Sequence, residues 1–387
     1  MNVRSCFPLL VAGLAFLSAG LPAGAQTGRG YDFAGDGKRA GTVQAEAWVA
    51  ESAVVRATLS SPADLVLPVR SAAAKQAARA NLEVADRLAA KKTVKVGNLE
   101  VGGADLARTA RAVAAWLASG RPGGAFPFRL YRSQGEDGQG NVQFTGYFTP
   151  RLEVAAAPDA RFRFPLYRFP AGFPKPLPSR QEIDEGKALA SRSLEIAWAD
   201  DLLEVYFLQV QGSGRLHFQD GREKWIAFAG SNGIPYQSLG RMLVERGSIP
   251  ADRISLRAIR AWMHAHPEDL ALLNRNPSYV FFKEAKSAPV GAAGIPVIPG
   301  ASVAADQRYI PPGACLLAEV PLLDPTGALL GHEWRLLFAH DTGGAIKGPG
   351  HLDLYFGLGP AAGERAGDLH HYGRIWLVLA GKPPARK

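Results

Sequence analysis

Glycine and proline punctuate this chain so densely that long helices have little room: 43 glycines and 28 prolines occur among 387 residues. These residues end helices and shape tight turns, so the short apolar segments between them suit strands. The pattern predicts strands over Phe126 to Tyr131, Val142 to Thr149, Phe162 to Arg168, Leu203 to Gln211, Arg215 to Phe218 and Trp225 to Ala229. Helices are expected at Val69 to Lys92, where Ala, Arg, Lys, Glu and Leu run without glycine or proline. Further helices are expected at Ala104 to Ala118, Tyr236 to Arg246 and Leu256 to Ala265. The expected class is mainly β with a few helices, and the length suggests two domains.

The first residues bear on compartment. Arg4 precedes an apolar run from Phe7 to about Leu21, followed by Ala23-Gly24-Ala25, a small-x-small cleavage pattern. Residues 1–25 therefore read as a signal peptide, too short to favour a membrane span, and the protein is expected to be exported and periplasmic. Cys6 lies ahead of the apolar run, so it is not a lipid-attachment cysteine and outer-membrane anchoring is not implied. Only Cys315 remains after cleavage, which excludes a disulfide framework and favours a buried thiol. No Cys-x-x-Cys or His-Glu-x-x-His spacing occurs, so no metal and no cofactor is expected. The formal net charge is +9, which favours anionic partners. The basic residues are scattered rather than clustered, which disfavours nucleic acid; for an exported protein the anionic polymer at hand is cell wall.

Candidate chemistry concentrates near the C-terminus. Asp341-Thr342-Gly343-Gly344-Ala345-Ile346-Lys347-Gly348 precedes His351-Leu352-Asp353-Leu354-Tyr355-Phe356-Gly357. In the second segment, alternation puts Leu352 and Leu354 on one face of a strand and His351, Asp353 and Tyr355 on the other. Competing readings exist: Asp341-Thr342-Gly343 reads equally well as a turn, and Lys347 as a solvated loop residue. Tyr147 and Tyr355 also suit core edges with a hydroxyl at the surface. Three glycine-bearing segments, Asn141 to Pro150, Val210 to Gly214 and Phe228 to Gly233, offer amides or hydroxyls beside aromatics, as a groove for a sugar polymer would need.

Several segments occur together in an order seen in one family. They are Thr145-Gly146-Tyr147-Phe148-Thr149-Pro150, Pro165-Leu166-Tyr167-Arg168, Ser179-Arg180 with Glu182-Ile183, and Val210-Gln211-Gly212-Ser213-Gly214. Asn276-Pro277-Ser278-Tyr279-Val280-Phe281-Phe282, Ile310-Pro311-Pro312-Gly313, the Asp341 segment and Asp353-Leu354-Tyr355 follow. Over roughly residues 126 to 378 the chain closely resembles the MltA family of lytic murein transglycosylases. The resemblance implies a double-psi β-barrel with a second, smaller β-barrel inserted, and peptidoglycan glycan strands bound between them. It implies a barrel domain from residues 26–135 and 241–387, and an insert over 136–240. The family's three aspartates fall on Asp306, Asp341 and Asp353, with Asp353 at the position of the catalytic acid. Pro349-Gly350 lengthens the turn before Asp353 by one residue relative to the family.

The implied reaction cleaves the MurNAc-β-1,4-GlcNAc bond without water, because the muramyl C6 hydroxyl attacks its own C1. One carboxyl can then serve as acid and as base, whereas ordinary glycosidases need two. The expected catalytic residues are Asp353 and Asp341. The expected glycan-binding residues are Thr145, Tyr147, Gln211, Ser213, Asn232, Lys347 and Tyr355. The rival readings are a non-catalytic wall-binding or wall-loosening protein and a hydrolysing muramidase. An aspartic protease is disfavoured because such an enzyme needs two Asp-Thr-Gly motifs and this chain has one.

Overall fold

The computed structural model describes residues 27–31, 40–44, 68, 70–90, 94–96, 99–119, 126–135, 137–250, 253–288, 290–344 and 346–381. The leader read over residues 1–25, Cys6 and the break at Gly120 to Gly124 lie outside the described residues.

Six strands close into a ring. Cys315–Leu323 pairs with Leu329–Asp341, followed by Ser302–Ala305, His351–Leu358, Val142–Thr149 and His370–Ala380, which pairs back with Cys315–Leu323. Two of these contacts are parallel, Ser302–Ala305 with Leu329–Asp341 and Val142–Thr149 with His351–Leu358. Cys315–Leu323 carries a near-continuous apolar run because both of its faces are covered. Phe144, Val303, Leu316, Leu337, Leu352 and Leu354 fill the interior. Cys315, Leu317, Leu336, Phe338, Trp376 and Val378 point the other way and are covered by the helices Ala72–Ala89 and Gly103–Ala118. The alternation expected of Leu352 and Leu354 is thus observed, and Cys315 is the buried thiol the sequence suggests.

A second sheet of six strands runs in the order Val280–Ala285, Glu223–Ser231, Ser213–Phe218, Arg151–Ala155, Glu195–Ala199, Phe164–Tyr167. Its two edges meet at a single bridge between Arg168 and Phe282. The division between the sheets differs from the sequence expectation of an insert over 136–240. Val142–Thr149 belongs to the ring, and Val280–Ala285 belongs to the second sheet. The reason is pairing: among the described residues Val142–Thr149 finds its partners at His351–Leu358 and His370–Ala380, far along the chain.

Leu203 to Gln211, expected as a strand, is a helix, Leu202–Gln211. Asp201 caps its start by accepting from the backbone N–H groups of Leu203 and Glu204, and Gly212, left-handed at φ 75°, ends it. The segment lacks a polar face because it is buried on all sides. Val205 and Leu208 pack into the second sheet's core. Leu203, Tyr206, Phe207 and Val210 pack among the helices Leu239–Glu245, Leu256–Ala265 and Pro360–Asp368. Both glycines of Val210 to Gly214 then have structural reasons, since a Cβ on Gly214 would lie 2.3 Å from Leu208 Cδ1.

Gly146 has a similar reason. A Cβ there would sit 2.6 Å from Ala366 Cα and 2.7 Å from the Ala366 carbonyl oxygen. Helix Pro360–Asp368 therefore rests directly on the backbone of Val142–Thr149. Gly146→Ala should lower stability by about 1–3 kcal/mol through overpacking against backbone that cannot rotate away. Thermal melting should show a drop of several degrees, whereas Gly381→Ala, with open space around it and no left-handed backbone, should change the midpoint much less.

Candidate active site

Two neighbouring parallel strands build the site. Their register sets Gln143 beside His351, Thr145 beside Asp353 and Tyr147 beside Tyr355. The face opposite Leu352 and Leu354 is therefore a column of polar and phenolic pairs, and it too is buried: Asp353 is 0% exposed. That burial is more complete than a strand with one solvent-facing side would give.

Asp353 Oδ1 accepts a hydrogen bond from the Thr145 hydroxyl at 2.8 Å. Its Oδ2 has no partner among the described residues. Burial pushes the carboxyl up to about 7, opposed by the Thr145 bond and reinforced by the charge of Asp341. Asp341, the last residue of its strand, is partnered on both oxygens. Oδ1 accepts from the Ala292 and Thr342 amides at 2.9 Å each, and Oδ2 accepts from the Tyr147 hydroxyl at 3.1 Å. Burial pushes this carboxyl up to about 7 as well, against the pull of those three donors. Asp341-Thr342-Gly343 is thus more than a turn: its carboxyl is buried in the site. Tyr147 and Tyr355 lie with ring centroids 5.0 Å apart, and the Tyr355 hydroxyl is 2.8 Å from Thr149 Oγ1.

A small cleft adjoins these groups. Tyr147, Tyr355, Thr149 and Asp341 line it from the ring strands, and Gln211 and Ser213 from the helix end and the second sheet. Val290, Gly291 and Val297 complete it. Asp353 does not itself line the cleft. Gln211 accepts from the Phe148 amide through Oε1 at 3.3 Å, while its buried Nε2 has no partner among the described residues.

The other expected site residues separate from this cluster. Asn232 uses its whole side chain on the protein: Nδ2 donates to the Pro178 and Pro277 carbonyls, and Oδ1 accepts from the Ile234 and Tyr279 amides. It clamps loops and keeps no free polar group. Lys347 is exposed and does not line the cleft. Asp306 accepts from Arg308 and from the Gly348 amide at 2.9 Å, anchoring the turn that carries Lys347. Burial works against its ionisation, but these donors hold its carboxyl below the usual range.

Two contributors escaped sequence reasoning. The Val290 to Val297 segment supplies a wall of the cleft and, at Ala292, an amide to Asp341. Its signal was Gly291, where a Cβ would lie 2.3 Å from the His340 carbonyl oxygen. The second is the hydrogen bond between Thr145 Oγ1 and His351 Nε2, at 2.9 Å.

The raised folded-state pKa of Asp353 has a stability consequence. Stability from the neutral carboxyl is complete below the unfolded value near 3.9 and is lost as pH rises through about 7. Asp353→Asn removes that loss. Its melting temperature should exceed that of the wild type at pH 8 by several degrees, and the margin should shrink at pH 5.

Comparison with known proteins gives a consistent result. Residues 143–283 match the family model described as the MltA specific insert domain, and residues 301–379 match the 3D domain. The membrane-bound lytic murein transglycosylase A of Vibrio cholerae serotype O1 is 46% identical over 275 residues, 69% of this chain and 74% of the relative. That of Escherichia coli K12 is 45% identical over the same shares. Among solved structures, E. coli MltA with bound chitohexaose superposes with a TM-score of 0.73 at 35% identity, covering 86% of this chain and 96% of that one. The membrane-bound lytic murein transglycosylase of Agrobacterium tumefaciens gives 0.64 at 30% identity, covering 79% and 92%.

Proposed function

This chain belongs to the MltA family of lytic murein transglycosylases, and we propose that it cleaves the MurNAc-β-1,4-GlcNAc bond of peptidoglycan without water, with Asp353 acting first as acid and then as base. One observation carries the choice of acid. Both carboxyls are buried, but Asp341 accepts from three donors, an arrangement suited to a carboxylate, whereas Asp353 keeps one oxygen without a partner among the described residues. That oxygen is where a proton can reside and be passed on.

The sequence of events follows from the groups present. Asp353 protonates the glycosidic oxygen as the C1–O bond breaks. The muramyl C6 hydroxyl attacks C1 and gives its proton to the Asp353 carboxylate, closing a 1,6-anhydro ring. The nucleophile is tethered to its target, which reduces what the protein must supply. Asp341 raises the Asp353 pKa by its charge, keeping the acid loaded nearer neutral pH. The free Gln211 amide, Ser213 and the paired rings of Tyr147 and Tyr355 offer hydrogen bonds and apolar faces for sugar along the cleft. Because Asp353 is covered in this structure, side chains over it shift when a glycan strand is seated.

The two sheets suggest the domain plan: the ring with its two covering helices as one domain, and the second sheet, from Arg151 to Ala285, as the insert forming the other wall of the glycan groove. The substrate lies outside the cytoplasm, which supports export by the leader read over residues 1–25. The relatives are named as membrane-bound; no helix among the described residues is long and apolar enough to cross a membrane. A hydrolysing muramidase is the second reading, because Asp341 provides a second carboxylate close enough to influence Asp353.

Mass analysis of soluble muropeptides from purified sacculi tests the reaction. The expected product is one water lighter than the hydrolysis product and has no reducing end; a reducing-end product would favour the muramidase. Asp353→Asn should abolish release while sacculus binding persists. Asp341→Asn should cost less activity, and the alkaline limb of its pH profile should move to lower pH as the Asp353 pKa falls.

A further inference from the structure

Thr145 was expected to bind glycan, yet its hydroxyl is occupied within the protein. Its Oγ1 lies 2.8 Å from Asp353 Oδ1 and 2.9 Å from His351 Nε2. The three residues are 4%, 0% and 2% exposed, so protein partners decide their hydrogen bonding. A hydroxyl carries one proton, so a threonine bonded to two groups donates to one and accepts from the other. An ionised Asp353 can only accept. Thr145 must then donate to it, and His351 must donate its Nε2–H to Thr145.

A protonated Asp353 admits two arrangements. In one, the same polarity persists and the proton sits on Oδ2, the oxygen without a protein partner. In the other, the polarity reverses: the proton sits on Oδ1 facing Thr145, which donates to a bare Nε2. Only the first presents the proton to a glycosidic oxygen.

We propose that His351, acting through Thr145, is a positioning residue whose Nε2–H tautomer keeps the acid's proton on Asp353 Oδ2. The assignment rests on the reading of Asp353 as the acid. It also explains why the imidazole is so thoroughly enclosed. Burial, with His370 nearby, pushes its pKa down to about 4, so it donates as a neutral ring and adds no cation beside the acid. The other titratable groups acting on Asp353 or set beside it are Asp341, Tyr147 and Tyr355, which the substitutions below leave in place.

The test measures kcat and KM on soluble uncross-linked glycan strands across pH for Thr145→Val, Thr145→Ser, His351→Phe and His351→Gln, with Asp353→Asn alongside. Thr145→Val and His351→Phe should lower kcat roughly 10- to 100-fold with KM within about twofold of the wild type. Thr145→Ser and His351→Gln, which keep a donor in place, should recover most of the loss. Thr145→Val removes a bond that stabilises the carboxylate, so the alkaline limb of its profile should move to higher pH. Nitrogen-15 spectra of the wild-type protein should report His351 protonated on Nε2 at neutral pH, a readout independent of how the variants fold. A bare Nε2 in the wild type, or Thr145→Val with wild-type kcat and pH profile, would overturn the proposal. Should that occur while Asp353→Asn is inactive, the positioning role alone fails; if Asp353→Asn is active, the acid assignment fails and the positioning role with it.

Discussion

The parallel pairing of Val142–Thr149 with His351–Leu358 is the constraint from which the rest of the site follows. It joins residues 208 positions apart and aligns Thr145 with Asp353 at hydrogen-bond distance. A shift of one residue would turn Asp353 into the ring's apolar interior and bring Leu352 or Leu354 to the polar column. The ring's closure makes such a slip costly, because each strand is paired on both sides and all six would have to move. Glycine at position 146 adds a second lock, since only that register lays the helix Pro360–Asp368 on bare backbone.

Enclosure then sets the chemistry. A carboxyl in water near pH 7 is ionised and a poor acid; removed from water, it holds its proton. The same enclosure keeps three nearby imidazoles neutral, with His340 pushed down to about 3 and His351 and His370 to about 4, in each case by burial. Those rings serve as fixed hydrogen-bonding groups rather than as charges. The asymmetry between the two aspartates comes from partners, not depth. Asp341 meets two backbone amides and a phenol, while Asp353 meets one hydroxyl.

Much of this was legible in the sequence because it depends on local period. Alternation placed Leu352 and Leu354 against His351, Asp353 and Tyr355, and the strand Val142–Thr149 and the helix Leu256–Ala265 have the expected bounds. What depended on distant partners was not legible. Leu202–Gln211 looked like a strand because a helix buried on all sides loses its polar face; the better signals were Asp201 before it and Gly212 after it. Asn232 looked like a sugar ligand, but the carbonyls of Pro178 and Pro277 claim its amide. Nothing within Val142–Thr149 states which sheet will accept it, because its partners lie far along the chain. The sequence sets Asp353 between an imidazole and a phenol; that a threonine 208 residues earlier in the chain holds one of its oxygens is not readable from those neighbours.

The order of the ring strands along the chain bears on how such an enzyme is made. The first of the six, Val142–Thr149, is synthesised well before the other five, which all follow Ala301. The second sheet, lying between them in the chain, has all its strands available while the ring still has one. Asp353 arrives late, and His370–Ala380, which pairs with the other edge of Val142–Thr149, later still. No shorter nascent chain contains the enclosed column, so none can hold a carboxyl protonated near neutral pH. The enclosed column is therefore complete only once the chain has been delivered through His370–Ala380, and a copy cut before that strand lacks it.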